Sequence, residues 1–121
     1  MANTFKTITF AAEPASAGTS YLMYTTAGST TTVVLGLILT NIHTTAVTAS
    51  VQLDSNTGNR NGANNVANGV SELIKNVSIP SGSSLEILTG SKVVLETTHA
   101  IKVDCSVADK LSGTLSIMEI T

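Results

Sequence analysis

Twelve consecutive positions, residues 30–41 (Thr-Thr-Thr-Val-Val-Leu-Gly-Leu-Ile-Leu-Thr-Asn), carry neither charge nor proline. In an extended chain Val33, Leu35, Leu37 and Leu39 fall on one side and Val34, Gly36, Ile38 and Thr40 on the other. Both sides are largely apolar, which predicts a strand covered on both faces. The stretch is uncharged and rich in β-formers, so it is also the window most prone to aggregate. It is therefore expected inside a sheet with both edges paired.

The remaining chain reads mostly with a period of two. Phe5, Thr7, Thr9 and Ala11 alternate with Lys6, Ile8 and Phe10, a first strand stopped by Glu13-Pro14 and a small-residue loop over 15–20. Residues 21–25 form a second, short strand, on which Tyr21 and Tyr24 would point to opposite faces. Residues 46–54 place Val47, Ala49, Val51 and Leu53 on one face and Thr48, Ser50 and Gln52 on the other. This strand is the expected hairpin partner of 30–41, through a turn at 42–45. Residues 70–79 mix their faces, which a bulge or an edge position near Lys75 would reconcile. Pro80 stops that strand and Ser81-Gly82-Ser83-Ser84 makes a corner. Leu85 and Ile87, then Val93 and Leu95, read as two arms of a hairpin about Thr89-Gly90-Ser91. Ile101, Val103, Cys105 and Val107 face inward, while in the last strand Leu111, Gly113, Leu115, Ile117 and Glu119 form one face and Thr114, Ser116, Met118 and Ile120 the other. Eight or nine short strands without an amphipathic helix predict an all-β fold. It would be a single antiparallel β-sandwich, Ig-like or jelly-roll, over residues 1–121.

Two segments stand apart. Residues 1–20 are expected to supply an N-terminal arm. Residues 55–69 hold six Asn and three Gly and no strand period, which predicts a long exposed loop. Partner contacts are expected from these segments and the aromatics beside them: Phe5, Phe10, Tyr21, Asn59, Arg60, Asn61, Asn64 and Asn65.

Composition narrows the function classes. Charged residues are 12% of the 121, against roughly 25% in typical domains. A surface built of hydroxyls in place of ions suits a protein whose outside becomes interface. The net charge of −2 and six scattered basic residues argue against nucleic acid, and no apolar run approaches the ~18 residues of a membrane helix. No signal peptide is visible at the N-terminus. The one cysteine, Cys105, makes no internal disulfide and reads as a small core residue. His43 and His99 fall in turns without a second His, Cys or carboxylate at ligand spacing, and the eight carboxylates are spread singly. There is no nucleophile elbow and no phosphate loop. The expectation is a non-enzymatic protein without metal or cofactor.

Residues 34–41 (Val-Leu-Gly-Leu-Ile-Leu-Thr-Asn), 73–88 (Leu-Ile-Lys-Asn-Val-Ser-Ile-Pro-Ser-Gly-Ser-Ser-Leu-Glu-Ile-Leu) and 90–96 (Gly-Ser-Lys-Val-Val-Leu-Glu), with the closing Ser116-Ile117-Met118-Glu119-Ile120, carry a resemblance. Over residues 30–121 the chain resembles a family of small structural proteins of tailed phages and prophages. It departs from that family at 97–100, where a Gly-Asp turn is usual, and in the loop 55–69. The resemblance implies an Ig-like sandwich in the virion, assembled in the host cytoplasm. Its partners would be the major capsid protein or neck and tail proteins, with homo-oligomeric copies in the particle. A capsid decoration (cement) protein is the first expectation, and a neck, tail or baseplate component the second. A carbohydrate-binding module for the host surface is the competing class. It would need an exposed aromatic, and the opposed tyrosines leave at most one.

Overall fold

The computed structural model describes residues 2–55, 70–88 and 92–121. Among these, nine strands form two antiparallel sheets. They are β1 (Asn3–Glu13), β2 (Tyr21–Thr25), β3 (Thr31–Asn41), β4 (Val47–Asp54), β5 (Val70–Ile79), β6 (Ser84–Ile87), β7 (Val93–Leu95), β8 (Ala100–Cys105) and β9 (Leu111–Ile120). Sheet A runs β1-β9-β3-β6, with β7 also on β3; sheet B runs β2-β8-β4-β5. The pairs β4·β5, β3·β6/β7, β2·β8 and β1·β9 are nested like rungs of one long ribbon rolled into two layers. This is the jelly-roll order, and it differs from the Ig order.

β3 is central, with β9 along its whole length and β6 and β7 on its other edge. Its two apolar sides have a definite cause. The register with β9 slips between Val34 and Gly36. Thr32 and Val34 are buried before this bulge, and Leu37, Leu39 and Asn41 after it. One extra residue switches the inward phase from even to odd positions, so a single strand buries both sets in turn.

Two pairings differ from the sequence expectation. β4 is not the hairpin partner of β3, because the 42–45 connection carries the chain from sheet A to sheet B. β6 and β7 are not arms of a hairpin. Both run antiparallel to β3, β6 against Leu37–Thr40 and β7 against Thr32–Val34. They are successive pieces of one interrupted edge strand, and the expected turn at 89–91 lies outside the described residues.

The crossover between sheets is fixed at Asn41, which is fully buried. Its Nδ2 donates to the carbonyls of Thr45 and Ile79, each at 2.9 Å, and its Oδ1 accepts from His43 N–H at 2.8 Å. Its backbone pairs with Ser83 and Gly82, tying in the Pro80–Ser83 turn, where Gly82 takes φ 72°. A fully satisfied buried amide holds one geometry, because any other leaves donors or acceptors unpaired.

Between the sheets lie Val34, Leu37, Leu39, Val51, Ile79, Leu95, Ile101, Val103, Leu111, Leu115 and Ile117, all essentially inaccessible, with Cys105 buried among them. At Gly113 a Cβ would run into the Phe10 ring, so the glycine makes room for that aromatic. Residues 3–13 of the expected N-terminal arm form β1, hydrogen-bonded along β9.

Replacing Leu37, 1% exposed, with Asp buries an unpaired charge and is expected to abolish the cooperative thermal transition. A second expectation concerns the 96–99 turn, closed by His99 N–H to Glu96 O at 3.0 Å. There Thr98 sits at φ 71°, a region unfavourable to β-branched residues. Thr98→Gly should raise stability by about 0.5–1 kcal/mol, read as a higher urea midpoint at unchanged slope.

Candidate functional site: the outer face of sheet A

The two outward faces of the sandwich differ in chemistry. On sheet B, Lys102 and Asp104 of β8, Asp54 of β4 and Glu72 of β5 alternate outward against the buried positions. Lys102 Nζ meets Asp54 Oδ2 at 2.9 Å and Lys75 Nζ meets Glu72 Oε1 at 3.6 Å. On sheet A, the outward positions of β1, β9, β3, β6 and β7 are Thr, Ser, Asn and apolar residues, with Glu86 the single charge among the described ones.

Register lines up the apolar members. Phe5 of β1 lies opposite Met118 of β9, Met118 opposite Val33 of β3, and Val33 opposite Val94 of β7. Phe5 is 71% exposed and Val94 55%. Cross-strand neighbours stand close enough to act as one surface, so the row is a continuous apolar stripe across four strands. Beside it Ile38 is exposed, and over the β3 bulge a cleft of about 270 Å³ is lined by Leu35, Gly36, Ile38, Thr114 and Ser116, with Glu86 at its wall. Adjacency in this stripe depends on pairings between distant strands, so sequence alone did not reveal it.

The sequence candidates scatter. Phe5 lies on the stripe. Phe10 is buried, and its ring meets Tyr21 edge-on, centroids 5.1 Å apart at 60°. Asn59, Arg60, Asn61, Asn64 and Asn65 lie outside the described residues. The tyrosines do not point to opposite faces: the β2·β8 register slips at Met23, so Tyr21 and Tyr24 lie opposite Val103 and Ile101, both inward. Of the chain's four aromatics Phe5 is exposed, Phe10 is buried and both tyrosines are partly buried.

Tyr24 instead belongs to a polar network joining the sheets at one end. Its hydroxyl donates to Glu119 Oε2 at 2.6 Å and, that proton being used, accepts from Thr32 Oγ1 at 2.8 Å. Glu119 Oε1 meets Lys6 Nζ at 2.8 Å. The hydrogen bond from Lys6, with that from Tyr24, holds the Glu119 carboxyl below its ordinary range. Burial, reinforced by the adjacent carboxylate, pushes the Tyr24 hydroxyl up.

The histidines lie apart from this network. His43 donates its backbone N–H to Asn41, and buried His99 accepts the Glu96 N–H on Nδ1 at 3.2 Å. Its Nε2 and Thr26 Oγ1 are buried without a partner among the described residues. No cluster of three His, Cys, Asp or Glu suited to a metal occurs among the described residues.

No family model matches the chain, and no curated protein matches it. Solved structures do share its fold. A chain of the T=13 infectious bursal disease virus particle superposes at TM-score 0.56 with 10% identity, covering 97% of this chain and 30% of that one. A chain from the Gx strain of the same virus gives 0.51 with 13% identity, covering 98% and 33%. This chain thus spans about a third of the length of these two viral chains.

The network has a pH signature. Glu119 is lowered in the folded state, so its contribution is present above its ordinary pKa of 4.5 and is lost as pH falls through the lowered value. Tyr24 is raised from 10.0, so its contribution is present below that value and is lost as pH climbs through the raised one. Glu119→Gln should unfold at a lower temperature than the native protein at pH 7. The gap should narrow in acid below about pH 4.5, as thermal melts across pH would read.

Proposed function

We propose that this protein is a structural subunit of a virus particle that works by burying the outer face of sheet A against other virion proteins. The observation carrying this reading is the contrast between the two outward faces. Solvated sheet surfaces gain solubility from charge, and sheet B has it. Sheet A presents a four-strand apolar stripe among hydroxyl groups and a single carboxylate. A sandwich of this size offers one such face, compatible with a standard interface of about 1,200–2,000 Å².

Within this class we assign it to capsid decoration in a tailed phage, docked as repeated copies on the head lattice. Support comes from a fold shared with a viral particle chain and from the sequence resemblance, although the jelly-roll order replaces the Ig-like order which that resemblance implied. A neck, tail or baseplate position is the second reading, favoured by the same face and separated from the first by location alone.

The test is co-sedimentation of purified protein with phage heads lacking it, and separately with tails. The native protein should pellet with heads. Met118→Lys, which adds charge at a half-exposed outward position, should fold normally and bind at least about tenfold more weakly. Binding to tails alone would move the assignment to the second reading. Protein that pellets with neither, or Met118→Lys that binds as well as the native chain, would overturn the proposal.

A further inference from the structure

The two sheets have four outer edges, and three of them are guarded against strand addition. β2 is five residues long and bulged at Met23. β5 is broken by two register slips and carries Glu72 and Lys75. The far edge of sheet A is split into two short strands, β6 against Leu37–Thr40 and β7 against Thr32–Val34. Shortness, bulges and charge are the usual means of keeping sheet edges from pairing.

β1 has none of these over its first half. It spans eleven residues, contains no proline, and keeps an unbroken register with β9 from Asn3 to Phe10. Asn3 to Thr7 are exposed on both faces. The one charge there, Lys6, is engaged by Glu119. Nothing among the described residues pairs with the outer edge of this strand. Ala2 and Thr121 exchange both backbone hydrogen bonds, at 3.1 and 3.0 Å. By antiparallel alternation the even positions bond β9, and Asn3, Phe5, Thr7 and Thr9 turn their N–H and C=O groups to the open edge.

We propose that this edge is a pairing site for β1 of a second copy of the chain, antiparallel about a two-fold axis at Phe5. That register sets Asn3 opposite Thr7 of the partner subunit and keeps Lys6 away from its own symmetry mate, so no like charges oppose. It also joins the Phe5–Met118–Val33–Val94 row end to end with the partner's, doubling the apolar stripe. Because the other edges are guarded, the pairing closes as a dimer and does not propagate. A contact of about five residues a side is small, so the dimer is weak in solution and gains strength where copies are held close together. This inference concerns the edge and stands without the docking role of the face.

Sedimentation equilibrium up to about 1 mM, with amide hydrogen exchange by NMR, tests it. The native protein should dimerise reversibly. The Phe5 and Thr7 amides should gain protection with concentration, while those of Lys6 and Ile8 are protected throughout. Thr7→Pro removes an outward donor and leaves the β9 ladder intact, and Thr7→Lys adds a guard charge without touching the backbone. Each should weaken dimerisation at least tenfold. Should Thr7→Pro fail to fold, Thr7→Lys and the exchange pattern still decide. A native chain monomeric to that limit, a dimer unaffected by Thr7→Lys, or Phe5 and Thr7 amides that exchange freely in the dimer would overturn the proposal. Head binding is a separate measurement: a Thr7→Lys monomer that still pellets with heads leaves the docking role standing, and one that fails does not restore a lost dimer.

Discussion

The constraint on which the rest of the fold depends is that both alternating sets of β3 side chains are apolar while a strand presents only one face to a two-layer core. The bulge between Val34 and Gly36 resolves this by exchanging inward and outward positions halfway along. Val34 and Leu37 then both enter the core, and Val33 and Ile38 both turn outward. The neighbours inherit the break. On the other edge β6 pairs with Leu37–Thr40 and β7 with Thr32–Val34, so among the described residues the edge strand divides at the bulge. The outward apolar positions left on β3 become part of the stripe. Core, edge and candidate contact face thus follow from one inserted residue.

Strands that keep one face throughout were legible in the sequence. β9 alternates over most of its length, and in β4 and β8 the apolar residues that the period puts on one face, Val47, Ala49 and Val51 and then Ile101, Val103 and Cys105, are buried. The mixed pattern of β5 also pointed correctly to a bulge by Lys75: the register slips between the Ala49 and Val51 pairs, where Asn76 takes φ 50° and binds Ser50. The partnering of strands was not legible. A short loop such as 42–45 can close a hairpin or cross to the other sheet. The choice rests on Asn41, whose amide reaches β5, far away in sequence. Tyr21 and Tyr24 were misplaced for a similar reason, since one bulged residue in a five-residue strand inverts everything after it.

The candidate face was still harder to see. Phe5, Val33, Val94 and Met118 are ordinary apolar residues in four separate segments, and only the register makes them neighbours. Low overall charge did hint that part of the surface is interface. What it could not give was the distribution, with ion pairs on the outward face of sheet B and hydroxyls on that of sheet A. The Lys6–Glu119–Tyr24–Thr32 network is distributed in the same way, drawing on β1, β9, β2 and β3.

The nested pairing also bears on how the chain can assemble. Only β4·β5 closes a loop through a single connection, from Asp54 to Val70, whereas β1·β9 joins the two extremes of the chain. Closing a long loop outright costs more entropy than closing a short one, though the increment is only about 0.6 kcal/mol per doubling. In a nested ribbon, each pair already formed shortens the gap the next must span. The entropically cheapest order therefore runs from the β4·β5 hairpin outward, and β1, the strand with the open edge, is the last to be laid down.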